Sequence, residues 1–419
     1  MASSRSFAPA RGGEALAARY AGIRGATEAL CAPLSADDCQ AQSMPDASPV
    51  KWHLAHTSWF FETFVLEASL PGYRPFQPAF RVLFNSYYHA VGAQHPRPQR
   101  GLLTRPTLEE VFTYRAHVDR AVHAVIDGGA DARCGEVIEL GLQHEQQHQE
   151  LILTDVKHLL SCNPLRPAYR EQVAATPGAP APLRWESHPE GLRWIGHAGI
   201  GFCFDNEQPR HRVFVDAFEI ASRLITNLEF LAFIEDGGYR RPELWLSDGW
   251  STMQASGWQA PLYWEQGDGA WWVMTLAGMR RLPLDAPVCH VSFYEADAFA
   301  RWAGARLPRE SEWEVAAAGA PAGGNFVESG QLQPAPARGD GIVQLFGDVW
   351  EWTQSPYTAY PGYRAAAGAL GEYNGKFMCN QFVLRGGSCV TPAEHVRATY
   401  RNFFPAGARW QFSGIRLAR

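Results

Sequence analysis

Residues 140–155 read LGLQHEQQHQELILTD, and within them His144-Glu145-Gln146-Gln147-His148 has the H-E-x-x-H form. In zinc peptidases that form holds a metal with two histidines and uses the glutamate as general base. The stretch is rich in Leu, Glu and Gln, which favour helix. On a helix, His144 and His148 share one face about one turn apart. Val137, Gly141, Leu151 and Asp155 fall on the same stripe, so the stripe is expected to face the interior. Two inward imidazoles on one helix need at least one further ligand from a neighbouring helix to close a metal site.

A second segment supplies it. KWHLAHTSWFFETF carries His53 and His56 among Trp52, Trp59 and Phe60. His56, His144 and His148 would make a three-histidine face with open positions for a substrate or dioxygen. Imidazole suits iron, zinc, copper and nickel alike, so the ligand set leaves the metal open. The plain alternative is that these are core histidines. The peptidase alternative needs Glu145 beside the metal and a cleft flanked by an edge strand, and this half of the chain offers no strand.

The chain has two grammars. Residues 1–165 read as a four-helix bundle. Its helices are expected over 14–31, from Ser48-Pro49 onward (Ser as N-cap, Pro in the first turn), from the Thr107–Glu110 capping box to about 126, and over 134–161, stopped by Asn163-Pro164. The connection over 69–106 is long enough to be functional. Residues 166–190 are rich in Pro, Ala and Arg and read as a linker. From 191 to 419, strand-like runs such as HRVFVDAFEIA alternate with Gly, Trp and Pro turns, and only 227–235 and 292–303 read as helices. That is an irregular α+β domain.

The net charge of −6 gives no electrostatic footprint for nucleic acid or an anionic membrane. No apolar run approaches the roughly 18 residues that span a bilayer, and the first residues lack the apolar core of a signal peptide. Eight cysteines without CxxC pairs read as reduced thiols of a cytoplasmic protein. Fifteen tryptophans and 39 glycines are concentrated after residue 190.

SPVKWHLAHTSWFFETF with LGLQHEQQHQELILTDVKH resembles the N-terminal domain of ergothioneine sulfoxide synthases. DNEQPRHRVFVDAFEI, APVCHVSFYEADAFARWAGARLPRESEWEVAAAG, LFGDVWEWTQSPY and FVLRGGSCVTPAEHVRATYRNFF resemble the formylglycine-generating-enzyme domain, a C-type-lectin-like α+β fold. Together they cover most of the chain, and their order is more specific than any one of them. The resemblance implies a nonheme Fe(II) enzyme. It joins the sulfur of a thiol to the imidazole carbon of hercynine, with dioxygen, leaving a sulfoxide. It places the iron on His56, His144 and His148, and hercynine's imidazole on Gln147. Asn402 and Phe403 correspond to positions lining the betaine, with Phe404 beside them. Formylglycine-generating enzymes bind copper through a C-terminal cysteine pair. Here Cys379 and Cys389 stand in a different context, so the second domain is expected to be a substrate-binding wall.

Such a reaction needs a proton donor, and a phenol is suited to it. Tyr87-Tyr88, in the long loop, match the tyrosine pair of one subgroup, which takes free cysteine. If the loop is extended there, the two point to opposite sides and at most one readily faces the metal; Tyr88 is favoured. The carboxylate of cysteine or γ-glutamylcysteine calls for a guanidinium fork. Arg81, Arg97, Arg100 and Arg105 lie in the loop, with Arg100 or Arg81 preferred. Arg416 is a further candidate, or else a core-facing structural arginine. Cys289, Trp350 and Trp352 read as packing. Two alternatives stand beside this reading: a selenoneine synthase using a selenosugar donor, and a zinc-dependent thiol transferase. Nothing in the sequence fixes the oligomeric state.

Overall fold

The computed structural model describes residues 9–171, 181–199 and 201–419. They divide into two compact units, Met1–Leu159 and Leu160–Arg419.

The first unit is helical: α1 (Pro9–Cys31), α2 (Ala36–Gln40), α3 (Val50–Phe61), α4 (Glu67–Ser69), α5 (Phe80–Leu83), α6 (Leu108–Asp127) and α7 (Ala132–Cys162). The long helices α1, α3, α6 and α7 meet around Glu145. Its carboxylate accepts from Arg24 Nη1 of α1 at 2.8 Å, Arg115 Nη2 of α6 at 3.0 Å and Thr27 Oγ1 at 2.7 Å. From α3, Ser58 accepts from Arg24 at 2.8 Å and Thr57 from Arg115 at 3.0 Å. All of these groups are buried, so each charge depends on the others for its solvation. At Gly141 a methyl group would lie 2.5 Å from the Phe61 ring. Only glycine lets α7 approach α3 that closely.

The Thr107–Glu110 box forms as expected, with Thr107 N–H donating to the Glu110 carboxylate at 2.6 Å and Glu110 N–H to Thr107 Oγ1 at 3.2 Å. Ser48 is a correction. Pro49 is the N-cap of α3 and no side chain caps it. The Ser48 hydroxyl accepts instead from Arg100 at 2.9 Å, and its N–H donates to Asp155 at 2.8 Å.

After α3 the chain makes one π-turn, Glu62–Leu66. Buried Glu62 accepts from Tyr114 at 2.7 Å, Tyr73 at 2.9 Å and the Phe76 N–H at 2.9 Å. These bonds tie the start of the 69–106 connection to α3 and α6. Further on, Asn85 organises the turn that carries the tyrosines. It donates to the carbonyls of Tyr88 at 3.0 Å and Gly92 at 3.2 Å, and accepts from the Tyr88 N–H at 3.1 Å.

The second unit contains strands β1 (Trp185–His188), β2 (Gly191–Ile195), β3 (His211–Val215), β4 (Phe218–Ala221), β5 (Trp264–Gly267), β6 (Ala270–Thr275), β7 (Gly278–Arg281), β8 (Trp350–Pro356), β9 (Gln381–Arg385), β10 (Asn402–Pro405) and β11 (Ser413–Gly414). Its main sheet runs β10-β9-β8-β11, with β11 parallel to β8 and the other pairs antiparallel. Helices α8 (Asn227–Glu235) and α10 (Phe293–Trp302) follow capping boxes at Thr226–Glu229 and Ser292–Glu295. Two further helices, α9 (Ser247–Ser256) and α11 (Glu310–Ala317), were not legible in the sequence. The core of α11 is an acidic one: Glu310 binds Arg385 and Arg401, and Glu312 binds Arg306.

Of the stretch read as a linker, 172–180 lies outside the described residues. Its end differs from that reading, because β1 pairs with β4 from Trp185 opposite Ala221 to His188 opposite Phe218.

Candidate metal centre

His56 on α3 and His144 and His148 on α7 bring one ring nitrogen each within 4.8 Å of one another. The Nε2 atoms of His56 and His144 are 3.2 Å apart. The orientation of His56 follows from its other nitrogen, which lies 2.6 Å from the Phe84 carbonyl oxygen. A carbonyl only accepts, so Nδ1 carries the proton and Nε2 presents a lone pair to the cluster. Trp52 stacks on one side of the His56 ring, at 4.5 Å and 13°, and Trp59 packs at 5.5 Å and 15°.

Burial keeps all three imidazoles uncharged. It is the largest influence on each, and it holds His144 down at about 3 and His56 and His148 well below the ordinary histidine value. The neighbouring imidazoles push His56 and His148 further down. Neutral, buried, convergent nitrogens are what a divalent metal needs from imidazole. The site fits such an ion.

Glu145 takes no part in it. Burial would raise its pKa, but Arg24 and Arg115 outweigh burial and hold it at about 2. Tied to two guanidinium groups and a threonine, it is not available as the base of a peptidase. His53 is not a ligand either, since both of its ring nitrogens are engaged, one with His148 and one with Asp155.

The loop arginines separate cleanly. Arg81 is 46% exposed and paired with Glu67 at 2.9 Å. Arg100 is buried, with its guanidinium carbon 3.4 Å from the centre of the Trp52 ring. Its Nη1 donates to Ser48, and its buried Nε has no hydrogen-bond partner among the described residues. Burial first, and the charge of Arg97 second, pull its pKa down to about 9. It is a cation that an incoming carboxylate would relieve. Sequence alone prefers it equally with Arg81.

The tyrosine pair also departs from expectation. The rings of Tyr87 and Tyr88 stack at 4.7 Å and 28°, so they lie on the same side. Tyr88 is fully buried against Trp59 at 5.6 Å and Phe64 at 5.2 Å. Trp59 therefore links Tyr88 to His56. Gln147 is half-buried on α7, one residue before His148.

In the second unit, Asn402, Phe403 and Phe404 form most of β10 and are half-buried. Strand alternation puts Asn402 and Phe404 on one face and Phe403 on the other. There Phe403 stacks on Tyr357 at 4.0 Å and 11°. Arg416 is the structural alternative of its two readings. Its guanidinium is fully buried, bound to Glu351 at 2.7 and 3.0 Å and to the carbonyls of Ala221 and Val343. Trp350 and Trp352 are buried, with Trp352 Nε1 donating to the Val291 carbonyl at 2.9 Å.

Comparison with known proteins agrees with this division. Residues 19–152 match the DinB superfamily, and residues 187–340 and 336–419 match the sulfatase-modifying factor enzyme 1-like domain. The chain is 33% identical to the hercynine oxygenase of Mycobacterium tuberculosis, over 97% of this chain and 98% of that protein. It is likewise 33% identical to that of Mycolicibacterium thermoresistibile, over 91% and 89%. The chain belongs to the hercynine oxygenase family.

It is accordingly an oxidoreductase. The second unit of this family member is also 30% identical to the formylglycine-generating enzyme of Streptomyces coelicolor, over 48% of this chain and 76% of that one. None of the chain's eight cysteines is in a disulfide; Cys389 is buried and Cys379 exposed. If the second unit has no copper chemistry, Cys379→Ser and Cys389→Ser should each leave turnover per folded molecule within about threefold of the parent, since Cys379 is exposed and Ser is close to Cys in size at the buried Cys389. Added copper should not stimulate either protein. A copper-dependent loss in one variant, measured by steady-state turnover, would restore an oxidase role. No helix among the described residues is long and apolar enough to cross a membrane.

Proposed function

We propose that this chain is an Fe(II)- and dioxygen-dependent sulfoxide synthase of ergothioneine biosynthesis. It would join the sulfur of cysteine, or alternatively γ-glutamylcysteine, to the imidazole carbon of hercynine. The observation that carries the reading is the convergence of three neutral imidazoles in a chain whose relatives are hercynine oxygenases. The reaction balances: one thiol, one hercynine C–H and one dioxygen give the sulfoxide and one water. The eight cysteines outside disulfides suit a reducing compartment, the cytoplasm.

His56, His144 and His148 would hold the iron. When bound, Fe(II) offers open positions that bring reactants together and supplies the redox capacity to use dioxygen. His148 is the most exposed of the three, at 8% against 0% and 1%, and Gln147 stands beside it. Gln147 is suited to hydrogen-bond hercynine's imidazole there. The trimethylammonium group favours aromatic faces, for which the family resemblance offers Phe404 with Asn402 on one face of β10 or, alternatively, Phe403 on the other. Arg100 would take the donor's carboxylate in a charge-assisted bond.

Tyr88 would give the proton or hydrogen atom that commits the thiol to coupling. Tyr88→Phe keeps the ring packed on Trp59 and removes only the hydroxyl. Most C–S coupling should then be lost, with the thiol oxidised by dioxygen to its sulfinic acid instead, while Tyr87→Phe is milder. Product ratios from hercynine and cysteine under air check this, and unchanged coupling in both variants reduces the pair to loop packing.

The donor is tested by reconstituting the chain with Fe(II) without air, then admitting air with hercynine and cysteine, γ-glutamylcysteine or a selenosugar. Mass spectrometry should find the cysteine sulfoxide as the main product. A product from the selenosugar alone would overturn the choice of sulfur.

A further inference from the structure

Asp155, His53 and His148 form a chain of hydrogen bonds that runs from α7 to α3 and back. Asp155 Oδ2 lies 3.0 Å from His53 Nε2, and His53 Nδ1 lies 2.7 Å from His148 Nδ1. All three side chains are buried. His148 and Asp155 are seven residues apart, two turns of one helix face, and His53 fills the space between them.

The geometry points to a relay in which Asp155 and His53 are positioning residues that fix which nitrogen of His148 is offered to a metal. The direction of each bond follows from the chemistry of the acceptors. A carboxylate accepts only, and Asp155 Oδ2 already accepts from the Ser48 N–H at 2.8 Å. His53 Nε2 therefore carries the proton. In a neutral imidazole the other nitrogen is then a lone pair, so His53 Nδ1 accepts. The proton between the two rings belongs to His148 Nδ1, which leaves His148 Nε2 with its lone pair for the cluster. His56 reaches the same state through the Phe84 carbonyl. Two of the three imidazoles are thus set to present Nε2 before any ion arrives. Partners of this kind orient metal-binding histidines and raise their basicity, and losing one typically costs about 10–100-fold in affinity.

The inference rests on the three-histidine reading, and its test separates the two. In the metal-free chain, 15N spectra of the histidine rings should show His148 protonated on Nδ1 and His53 on Nε2. Asp155→Leu removes the acceptor opposite His53 Nε2 and releases both rings from their tautomers. It should lower Fe(II) affinity by about 10–100-fold, read anaerobically against a chromogenic chelator. His53→Leu should lower affinity to a similar degree, and Asp155→Glu, which keeps the acceptor, should restore most of it. Thermal unfolding selects the variants that fold, and His53→Leu stands in should Asp155→Leu fail. Protonation of His148 on Nε2 in the parent chain overturns the relay, as does a folded Asp155→Leu or His53→Leu that holds Fe(II) within twofold of the parent. A parent chain that takes up no Fe(II) refutes the metal site instead, and the ring spectra still decide the relay.

Discussion

Alanine in place of His56, His144 or His148 is expected to abolish iron uptake and turnover while the helical unit stays folded. Each histidine supplies one of three nitrogens gathered within 4.8 Å, and two buried imidazoles leave an ion underligated in a site that water fills poorly. Folding should survive, because the unit is tied together elsewhere, by the Glu145 cluster and by the packing of Phe61 on Gly141. His56→Ala also removes a ring lying between Trp52 and Trp59. A cavity there costs on the order of 2–4 kcal/mol, which a lower Tm would record without loss of the helical signal. The contrast with His53 is graded. His53→Ala should weaken iron binding and His56→Ala should eliminate it. Full iron and turnover in His56→Ala, with both lost in His53→Ala, would move the third ligand to His53.

The second large effect is on stability and concerns Glu145. Glu145→Gln removes the charge that Arg24 and Arg115 share in the interior. Breaking a buried pair by neutralising one partner costs about 3–5 kcal/mol. The lower end is expected here, since Arg24 keeps Asp119 at 2.7 Å and Arg115 keeps Glu28 at 3.3 Å. Iron content per folded molecule should not change. A pH series adds a signature. The folded-state pKa of about 2 lies below the ordinary glutamate value of about 4.3. Glu145 therefore contributes its full stability above about pH 4.3 and loses it as pH falls toward about 2. Chemical denaturation of parent and variant should differ least at the acid end. A variant as stable as the parent but inactive would mean that Glu145 works as a catalytic base, the peptidase reading.

What the sequence disclosed and what it hid divide along a physical line. The His144–His148 pair and the WHLAH segment were legible because helical spacing alone puts those imidazoles on a face. The Thr107–Glu110 box was legible in the same way, since a cap is local chemistry. Ser48 looks like such a cap and is not one, because Arg100 and Asp155, 52 and 107 residues away, claim its hydroxyl and its N–H. The choice between Arg81 and Arg100 was equally beyond local reading. One is paired on the surface and the other is buried against Trp52, and only the course of the 69–106 connection decides between them. That course depends on Glu62 and Asn85, whose bonds reach across the loop. Helix α11 is hidden because its acidic sequence looks exposed, whereas Arg385 and Arg401, 75 and 91 residues away, neutralise Glu310, and Arg306 pairs with buried Glu312.

If the three histidines hold an iron that couples hercynine to a thiol at the expense of dioxygen, the ratio of dioxygen consumed to sulfoxide formed reports it, measured with the Fe(II)-loaded chain, hercynine and cysteine. One dioxygen should be consumed per coupled product, and the zinc-loaded chain should give no coupling. Coupled product formed without dioxygen, or formed equally well by the zinc-loaded chain, would contradict it.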